Sequence, residues 1–302
     1  MRLSIRSALI TVAAVCAVST STFAGSHASC PVQGGTLKYG VKAEPPSYDM
    51  HATNSYAVMH FVAQHYSTLL TFDWKNFPKL EGDLAESWSM ADDGLSYTFN
   101  LHKGVKFHDG TPFTSADVKA SYDRMRNPPE GVTSVRKALF ASISEIETPD
   151  DHTVIFKLSS PDAFMMDGFA SPFNAIYSAK DLAADPTFPV KNVNGTGPYM
   201  LDEHVKGEAY KAVRYADFHH GDNCLDETIG YRIKGIVEPM VGGQIMAEWR
   251  GVAPPERKSL EEQMGDDITF QEKQLMTAWV VSLNSEFEAF KDKRVRQAMN
   301  LC

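Results

Sequence analysis

The 302-residue sequence predicts a protein of the α/β class. Segments in which apolar and polar residues alternate, as in half-buried strands, are interspersed with segments whose apolar residues recur at helical spacing. With 43% hydrophobic and 22% charged residues, the composition is that of a folded protein. The formal net charge of -9 is spread along the chain and provides no basic surface for a nucleic acid.

The first segment, residues 1–24, has the pattern of a secretory signal peptide. Arg2 and Arg6 precede an apolar stretch at 8–18, and small residues lead to a cleavage site after Ala24. The stretch is short of the ~20 apolar residues that a membrane-spanning helix needs. We therefore expect an exported protein, with an uncleaved anchor or a buried helix as the alternative.

Cleavage at this site would leave three of the four cysteines, Cys30, Cys224 and Cys302. An odd number is informative in an oxidising compartment, where cysteines pair. The pairing of Cys30 with Cys224 is favoured and would leave Cys302 without a partner inside the chain. Three free thiols are the alternative.

The first expected elements are a strand at Thr36–Val41, after a Gly-Gly turn, and an amphipathic helix at 58–70. A capping box at 114–117 predicts a helix that runs to Met125, before Asn127 and two prolines. Further expected strands are 97–101, 105–107, 143–146, 153–158, 199–201, 231–237 and 279–284, and further expected helices are 241–249 and 292–301.

The last predicted helix, 292–301, has no capping residue at its end. Because the final carbonyls of a helix need hydrogen-bond partners, we expect the natural sequence to continue beyond Cys302.

Candidate catalytic and metal-binding groups are few. His219 and His220 beside Asp222 could be metal ligands, but no cysteine or carboxylate stands at a recognised ligand spacing, which favours solvated surface histidines. His108 and Asp109 resemble part of a catalytic dyad, but turn geometry explains them better. The sequence thus predicts no active site, no metal and no cofactor.

Several separated motifs resemble the signature of the family 5 extracellular solute-binding proteins, the oligopeptide, dipeptide and nickel receptors of ABC importers. In chain order the motifs are LAESW (84–88), DDGLSYTFNL (92–101), KGVKFHDG (103–110), DDHTVIF (150–156), GTGPY (195–199) and FKDKRVRQAMN (290–300). The resemblance runs from about residue 34 to the end of the chain.

The resemblance implies a periplasmic-binding-protein-like type II fold, with two lobes joined by a hinge. It implies that residues 25–66 and 191–272 form the core of the first lobe and that 67–190 form its accessory subdomain. Residues 273–302 would begin a second lobe, most of which the sequence lacks. We therefore expect these 302 residues alone to bind ligand weakly or not at all.

The resemblance also implies ligand-binding residues. In peptide-binding relatives the segment after the first strand lies along the peptide and offers it backbone groups. By position that segment contains Asn54, Ser55 and Tyr56, with Glu44 before it. Capping of the following helix by Asn54 and Ser55 is an equally favoured interpretation. Trp279 could line the cleft, although core packing is favoured for it.

The implied function is capture of peptides or similar solutes in the periplasm and their delivery to an ABC permease and ATPase complex. A monomer without a cofactor and without nucleic-acid partners is expected. Nickel and haem stay open as cargo. The alternatives are an exported hydrolase acting on peptides or glycans, which would depend on His108 or Asp109, and a chaperone-like binding protein.

Overall fold

Two four-stranded β-sheets organise the larger part of the chain, which confirms the α/β prediction. The computed structural model describes residues 30, 32–221, 223–248, 250–272 and 282–299. Two compact units are present, Met1–Arg257 and Lys258–Cys302, and both four-stranded sheets belong to the first. The predicted signal peptide, residues 1–24, lies outside the described residues.

The strands are β1 (Thr36–Val41), β2 (Leu70–Phe72), β3 (Leu80–Gly82), β4 (Ala85–Met90), β5 (Ser96–Leu101), β6 (Ile143–Asp150), β7 (Thr153–Leu158), β8 (Tyr199–Val205), β9 (Ala209–Arg214) and β10 (Glu227–Arg232). The helices are α1 (Tyr56–Val62), α2 (Ser115–Arg126), α3 (Met165–Ala170), α4 (Ala179–Ala184), α5 (Val237–Val241), α6 (Pro254–Met264), α7 (Glu288–Lys291) and α8 (Lys293–Met299). Across the described residues, none of the helices is long and apolar enough to cross a membrane.

The first sheet has the strand order β1-β10-β9-β8. Its β1 pairs with β10 in parallel, with Thr36 opposite Glu227, while β10, β9 and β8 pair antiparallel. A disulfide joins Cys30 to Cys224 at the same end, and Gly34 N–H donates to the Cys224 carbonyl at 2.8 Å. This is the pairing that the sequence favoured, and it fixes the start of β1 beside the segment leading into β10.

The core of this sheet is aromatic. Tyr39 of β1 and Tyr210 of β9 are buried with Val58, Phe61 and Val62 from one face of α1. The rings of Phe61 and Tyr210 meet edge to face at 4.8 Å. Burial of each large side chain contributes about 1.5–3 kcal/mol, which explains how a helix of only two turns is held in place.

The second sheet is antiparallel with the order β4-β5-β7-β6, so β5 lies beside β7 and β6 is an edge strand. Alternate residues of its central strands face inward, among them Phe99 of β5 and Phe156 of β7. They are covered by Tyr122 of α2, whose ring lies 4.9 Å from that of Phe156, and by Phe169 of α3, 4.8 Å from Phe99. The alternation read from the sequence thus corresponds to one buried face.

The strand predicted at 105–107 is absent. Lys106 forms a single isolated bridge to Pro112, and Phe107 N–H donates to the Thr111 carbonyl at 2.8 Å. The segment folds back on itself as a tight loop and has no neighbouring strand along which a ladder could extend.

The helix predicted at 58–70 is shorter and starts earlier. α1 ends at Val62, and a 3-10 turn at Ala63–His65 follows. The carbonyls of Thr68 and Leu69 accept hydrogen bonds from the residues that lead into β4. Pairing with that distant segment replaces the helical hydrogen bonds that the apolar spacing predicted.

The strand predicted at 231–237 and the helix predicted at 241–249 were both wrong in position. The strand β10 is shifted toward the N-terminus, and the short helix α5 occupies the junction between the two predictions. Met246 N–H and the Ala247 carbonyl then bond to the backbone of β1 at 2.7 and 2.9 Å. Hydrogen bonds to the outer edge of β1 therefore take the place of the helical hydrogen bonds predicted for this segment.

The predicted capping box of α2 is present and has a second role. Asp117 Oδ2 accepts from Thr114 N–H at 2.7 Å, and Oδ1 accepts from Ala179 N–H, the first residue of α4, also at 2.7 Å. We expect Asp117→Ala to lower the free energy of unfolding by about 2–3 kcal/mol, because two buried amides lose a charged acceptor. Urea denaturation measures the change. Asp123→Ala, which removes half-buried ion pairs with Lys119 and Arg126 on the same helix, is the control, with an expected cost of about 1 kcal/mol. Equal costs for the two variants would contradict the double role.

Candidate ligand-binding site

Glu44 follows β1 and is fixed by the turn between β8 and β9. Its Oε1 accepts from Gly207 N–H at 2.5 Å and lies 3.5 Å from His204 Nε2. The hydrogen bond from Gly207 lowers the pKa of the Glu44 carboxyl, so the group is ionised at neutral pH. Tyr48 Oη approaches the other ring nitrogen of His204 at 2.6 Å. Glu44 therefore offers a partly exposed negative charge whose position is set by the first sheet.

The predicted segment Asn54, Ser55 and Tyr56 is exposed on the surface. Ser55 is the N-cap of α1, since its Oγ accepts from Ala57 N–H at 3.2 Å. The capping interpretation thus applies to Ser55 but not to Asn54, whose Oδ1 accepts instead from the guanidinium of Arg136.

Arg136 holds this segment from the far side. Its Nη2 donates to the Thr53 carbonyl at 2.7 Å, and its guanidinium lies 4.9 Å from the centre of the Phe173 ring. Tyr56, 57% exposed, places its ring 6.4 Å from the same phenylalanine. The result is an edge that presents a phenol and a carboxamide and is held from behind by a buried guanidinium.

The sequence did not identify Arg136 or Phe173 as members of this site. Each is more than 80 residues from Asn54 in the chain and carries no motif of its own. Trp279, the remaining predicted binding residue, lies outside the described residues. The role of these residues in ligand binding stays a prediction.

His108 and Asp109, on which the hydrolase alternative depends, contact separate partners. His108 Nε2 lies 3.0 Å from the Gly197 carbonyl, and its ring packs against Tyr215 at 4.8 Å. Asp109 Oδ1 accepts instead from the backbone and hydroxyl of Thr111. Each side chain stabilises a turn, and the pair does not form a dyad, so the geometry gives the hydrolase alternative no support.

The interpretation of His219 and His220 as solvated surface residues was wrong. Their side chains are 6% and 10% exposed, and each Nε2 faces Asp83 Oδ1, at 3.0 and 3.3 Å. Asp83 precedes β4 and is 136 residues away from His219 in the chain. Asp222, considered with them as a ligand, lies outside the described residues.

A family model described as bacterial extracellular solute-binding proteins, family 5 Middle, matches residues 79–302. The chain belongs to this family, as the sequence motifs indicated.

Individual relatives agree with this assignment. A Brucella ovis protein, named among the ABC transporter peptide-binding proteins, is 32% identical over 226 residues, which is 70% of this chain and 41% of the relative. The glutathione-binding protein GsiB of Escherichia coli is 28% identical over 264 residues, or 84% of this chain and 48% of its own.

Among solved structures, the oligopeptide-binding protein AppA of Bacillus subtilis, in complex with a nonapeptide, is similar with a TM-score of 0.75 and 27% identity. The similarity covers 89% of this chain and 54% of AppA. The chain therefore spans about half the length of the relatives it matches.

Proposed function

We propose that this chain is the solute-binding component of an ABC importer, and that it captures peptides or chemically similar solutes. The observation that carries the proposal is the similarity of fold, over 89% of the chain, to a receptor solved with a bound nonapeptide. The family is one of binding proteins, and binding, not catalysis, is the proposed activity. Its place is the periplasm, after removal of residues 1–24.

In this proposal the chain supplies one wall of a cleft. Residues 25–66 and 191–272 form the core of the first lobe, 67–190 form its accessory subdomain, and 273–302 lead into a second lobe. Ligand lies along the edge at Asn54–Tyr56, and closure of the lobes over it creates the surface that the permease recognises.

The geometry of the edge supports a role in binding a peptide of variable sequence. Arg136 fixes the backbone of the segment through the Thr53 carbonyl, so the edge is ordered before ligand arrives and little entropy is lost on binding. Tyr56 adds an exposed aromatic surface on which a side chain or a peptide plane can pack. Glu44 provides a negative charge of the kind that attracts a peptide amino terminus.

The test is peptide binding by protein recovered from the periplasm, measured by calorimetry with a mixture of di- to nonapeptides. Amino-terminal sequencing of the same sample should start at Gly25. We expect Tyr56→Ala and Arg136→Gln to weaken binding about tenfold each, equivalent to about 1.4 kcal/mol. Lys180→Met, which removes an exposed ion pair with Asp109, is the control and should leave binding unchanged.

Both the 302-residue chain and the longest product of its reading frame are measured. We expect the 302 residues alone to bind more weakly than micromolar, since they span about half of their relatives. A failure of both proteins to bind any peptide would contradict the proposed cargo class, whereas equal binding by the Tyr56 and Arg136 variants would contradict the proposed edge.

A further inference from the structure

A second group of side chains, distinct from the edge described above, converges where the two sheets meet. Asp83 lies between β3 and β4, and His219 and His220 lie in the connection between β9 and β10. One ligand atom from each side chain lies within 4.8 Å of the other two. We propose that Asp83, His219 and His220 bind a divalent transition-metal ion.

The donor set fits such an ion. Two imidazoles and one carboxylate are ligands that zinc, nickel and copper accept, whereas magnesium and calcium prefer oxygen ligands alone. A tetrahedral ion with ligands at about 2.1 Å holds them about 3.4 Å apart. The distances from Asp83 Oδ1 to the two Nε2 atoms, 3.0 and 3.3 Å, are close to this value.

The carboxylate is oriented as metal ligands usually are. Asp83 Oδ2 accepts from Thr68 N–H at 2.8 Å, which directs Oδ1 toward the histidines. Outer contacts of this kind fix the direction of a ligand atom and are commonly found around metal sites.

Hydrogen bonds within the protein do not satisfy every donor and acceptor of these three side chains. To bond with Asp83 Oδ1, both histidines must carry a proton on Nε2, which leaves Nδ1 as an acceptor. His219 Nδ1 is buried and has no hydrogen-bond partner among the described residues. The two rings are also crowded, with centroids 4.1 Å apart and the ring of His102 about 6 Å from each. An ion bound through the Nε2 lone pairs would replace this arrangement, in which two imidazole donors converge on one carboxylate oxygen.

There is space for the ion's remaining ligands. A cavity of about 470 Å³ has Asp83 and His220 in its wall, together with Ser67, Thr71 and Asn223. Three protein ligands with an open side leave a coordination position for water or a small molecule. The ion would also link the start of β4 in the second sheet to the β9–β10 connection of the first.

The experiment is calorimetric titration of untagged, exported protein with ZnCl₂ after treatment with a chelator. We expect one Zn²⁺ per chain and no binding of Mg²⁺. Removal of an outer contact commonly weakens a metal site by about 10–100-fold, so His220→Gln or Asp83→Asn, which remove a ligand, should weaken Zn²⁺ binding by about 100-fold or more. His152→Gln, in the turn between β6 and β7, is the control.

Anomalous diffraction at the zinc edge tests the site without any variant, in case one fails to fold. Density within about 2.0–2.2 Å of Asp83, His219 and His220 supports the proposal. Zn²⁺ bound elsewhere, no saturable binding, or an unchanged affinity in the folded His220→Gln and Asp83→Asn variants would overturn it.

Discussion

Replacement of Arg124 by methionine is expected to lower the free energy of unfolding by about 3–5 kcal/mol. The Arg124 side chain, 3% exposed, belongs to the last turn of α2 and meets Asp49 through two hydrogen bonds, Nη2 to Oδ2 at 2.6 Å and Nη1 to Oδ1 at 3.2 Å. Its Nε donates to the Pro186 carbonyl at 3.1 Å. Without the guanidinium, the Asp49 carboxylate would be left as a buried charge with only His51 N–H and the Tyr177 hydroxyl as donors.

A double-mutant cycle separates the cost of the unpaired charge from the cost of the lost side chain. Asp49→Asn combined with Arg124→Met removes both charges, so we expect the double variant to be less destabilised than the sum of the single variants. Lys180→Met, whose pair with Asp109 is exposed, should cost less than about 1 kcal/mol. Urea denaturation of the unmodified protein and the four variants provides the measurement, and additivity of the two single changes would contradict a coupled buried pair.

The Asp49–Arg124 pair also bears on the proposed domain organisation. Asp49 belongs to the segment 25–66 and Arg124 to the segment 67–190, so the pair crosses the proposed boundary between lobe core and accessory subdomain. A buried bidentate ion pair has strict geometric requirements. It can therefore fix the orientation of the second sheet relative to the edge at Asn54–Tyr56, which Arg136 also contacts from the same accessory segment.

Turn residues, apolar alternation and capping residues predicted several features of the fold correctly. The turn residues between β6 and β7, the alternation in β5 and the capping box of α2 all correspond to observed features. In each case the deciding interactions join residues close together in the chain. The family motifs extended this to the fold class, since three of the six lie on strands of the second sheet.

The predictions that were wrong concern residues whose partners are far away in the chain. Residues 246 and 247 were predicted as helix, but they extend along the edge of β1, some 200 residues away. His219 and His220 were interpreted as solvated because no carboxylate stands at a recognised ligand spacing from them, whereas Asp83 supplies one from a distant part of the chain. Likewise nothing local marked Arg136 as the residue that holds Asn54. Long-range pairing decides each of these features, and hydrophobic periodicity carries no information about it.

Acidification from pH 7 to pH 5 is expected to destabilise the protein by about 4 kcal/mol through two buried histidines. Burial lowers the pKa of both His51 and His65 to about 3. The neutral rings are hydrogen-bonded through their nitrogens. His51 Nε2 donates to the Ala175 carbonyl, and its Nδ1 accepts from Arg124. His65 Nδ1 donates to the Tyr199 carbonyl. A second proton on His51 would set Nδ1–H against the Arg124 guanidinium, and a second proton on His65 would require the Tyr210 hydroxyl to accept instead of donate.

The direction of this change in stability follows from the difference between the pKa of each histidine in the unfolded and in the folded chain. Between about 6.5, the unfolded value, and 3, the unfolded chain binds the proton and the folded chain does not. The stabilisation is therefore complete above pH 6.5 and falls by about 1.4 kcal/mol per pH unit and per histidine as the pH decreases. Ordinary carboxyl groups, with pKa values near 4, titrate mostly below this range.

Urea midpoints at pH 7, 6 and 5, measured with a chelator present, test the expectation. His51→Gln and His65→Gln retain a donor and an acceptor but cannot be protonated, so each should reduce the loss of stability between pH 7 and pH 5 by about 2 kcal/mol. His152→Gln is the matched control and should keep the full dependence. A midpoint that does not change between pH 7 and pH 5 in the unmodified protein would show that these two histidines are protonated in the folded state, and that the network around Asp49 and Arg124 differs from the one described.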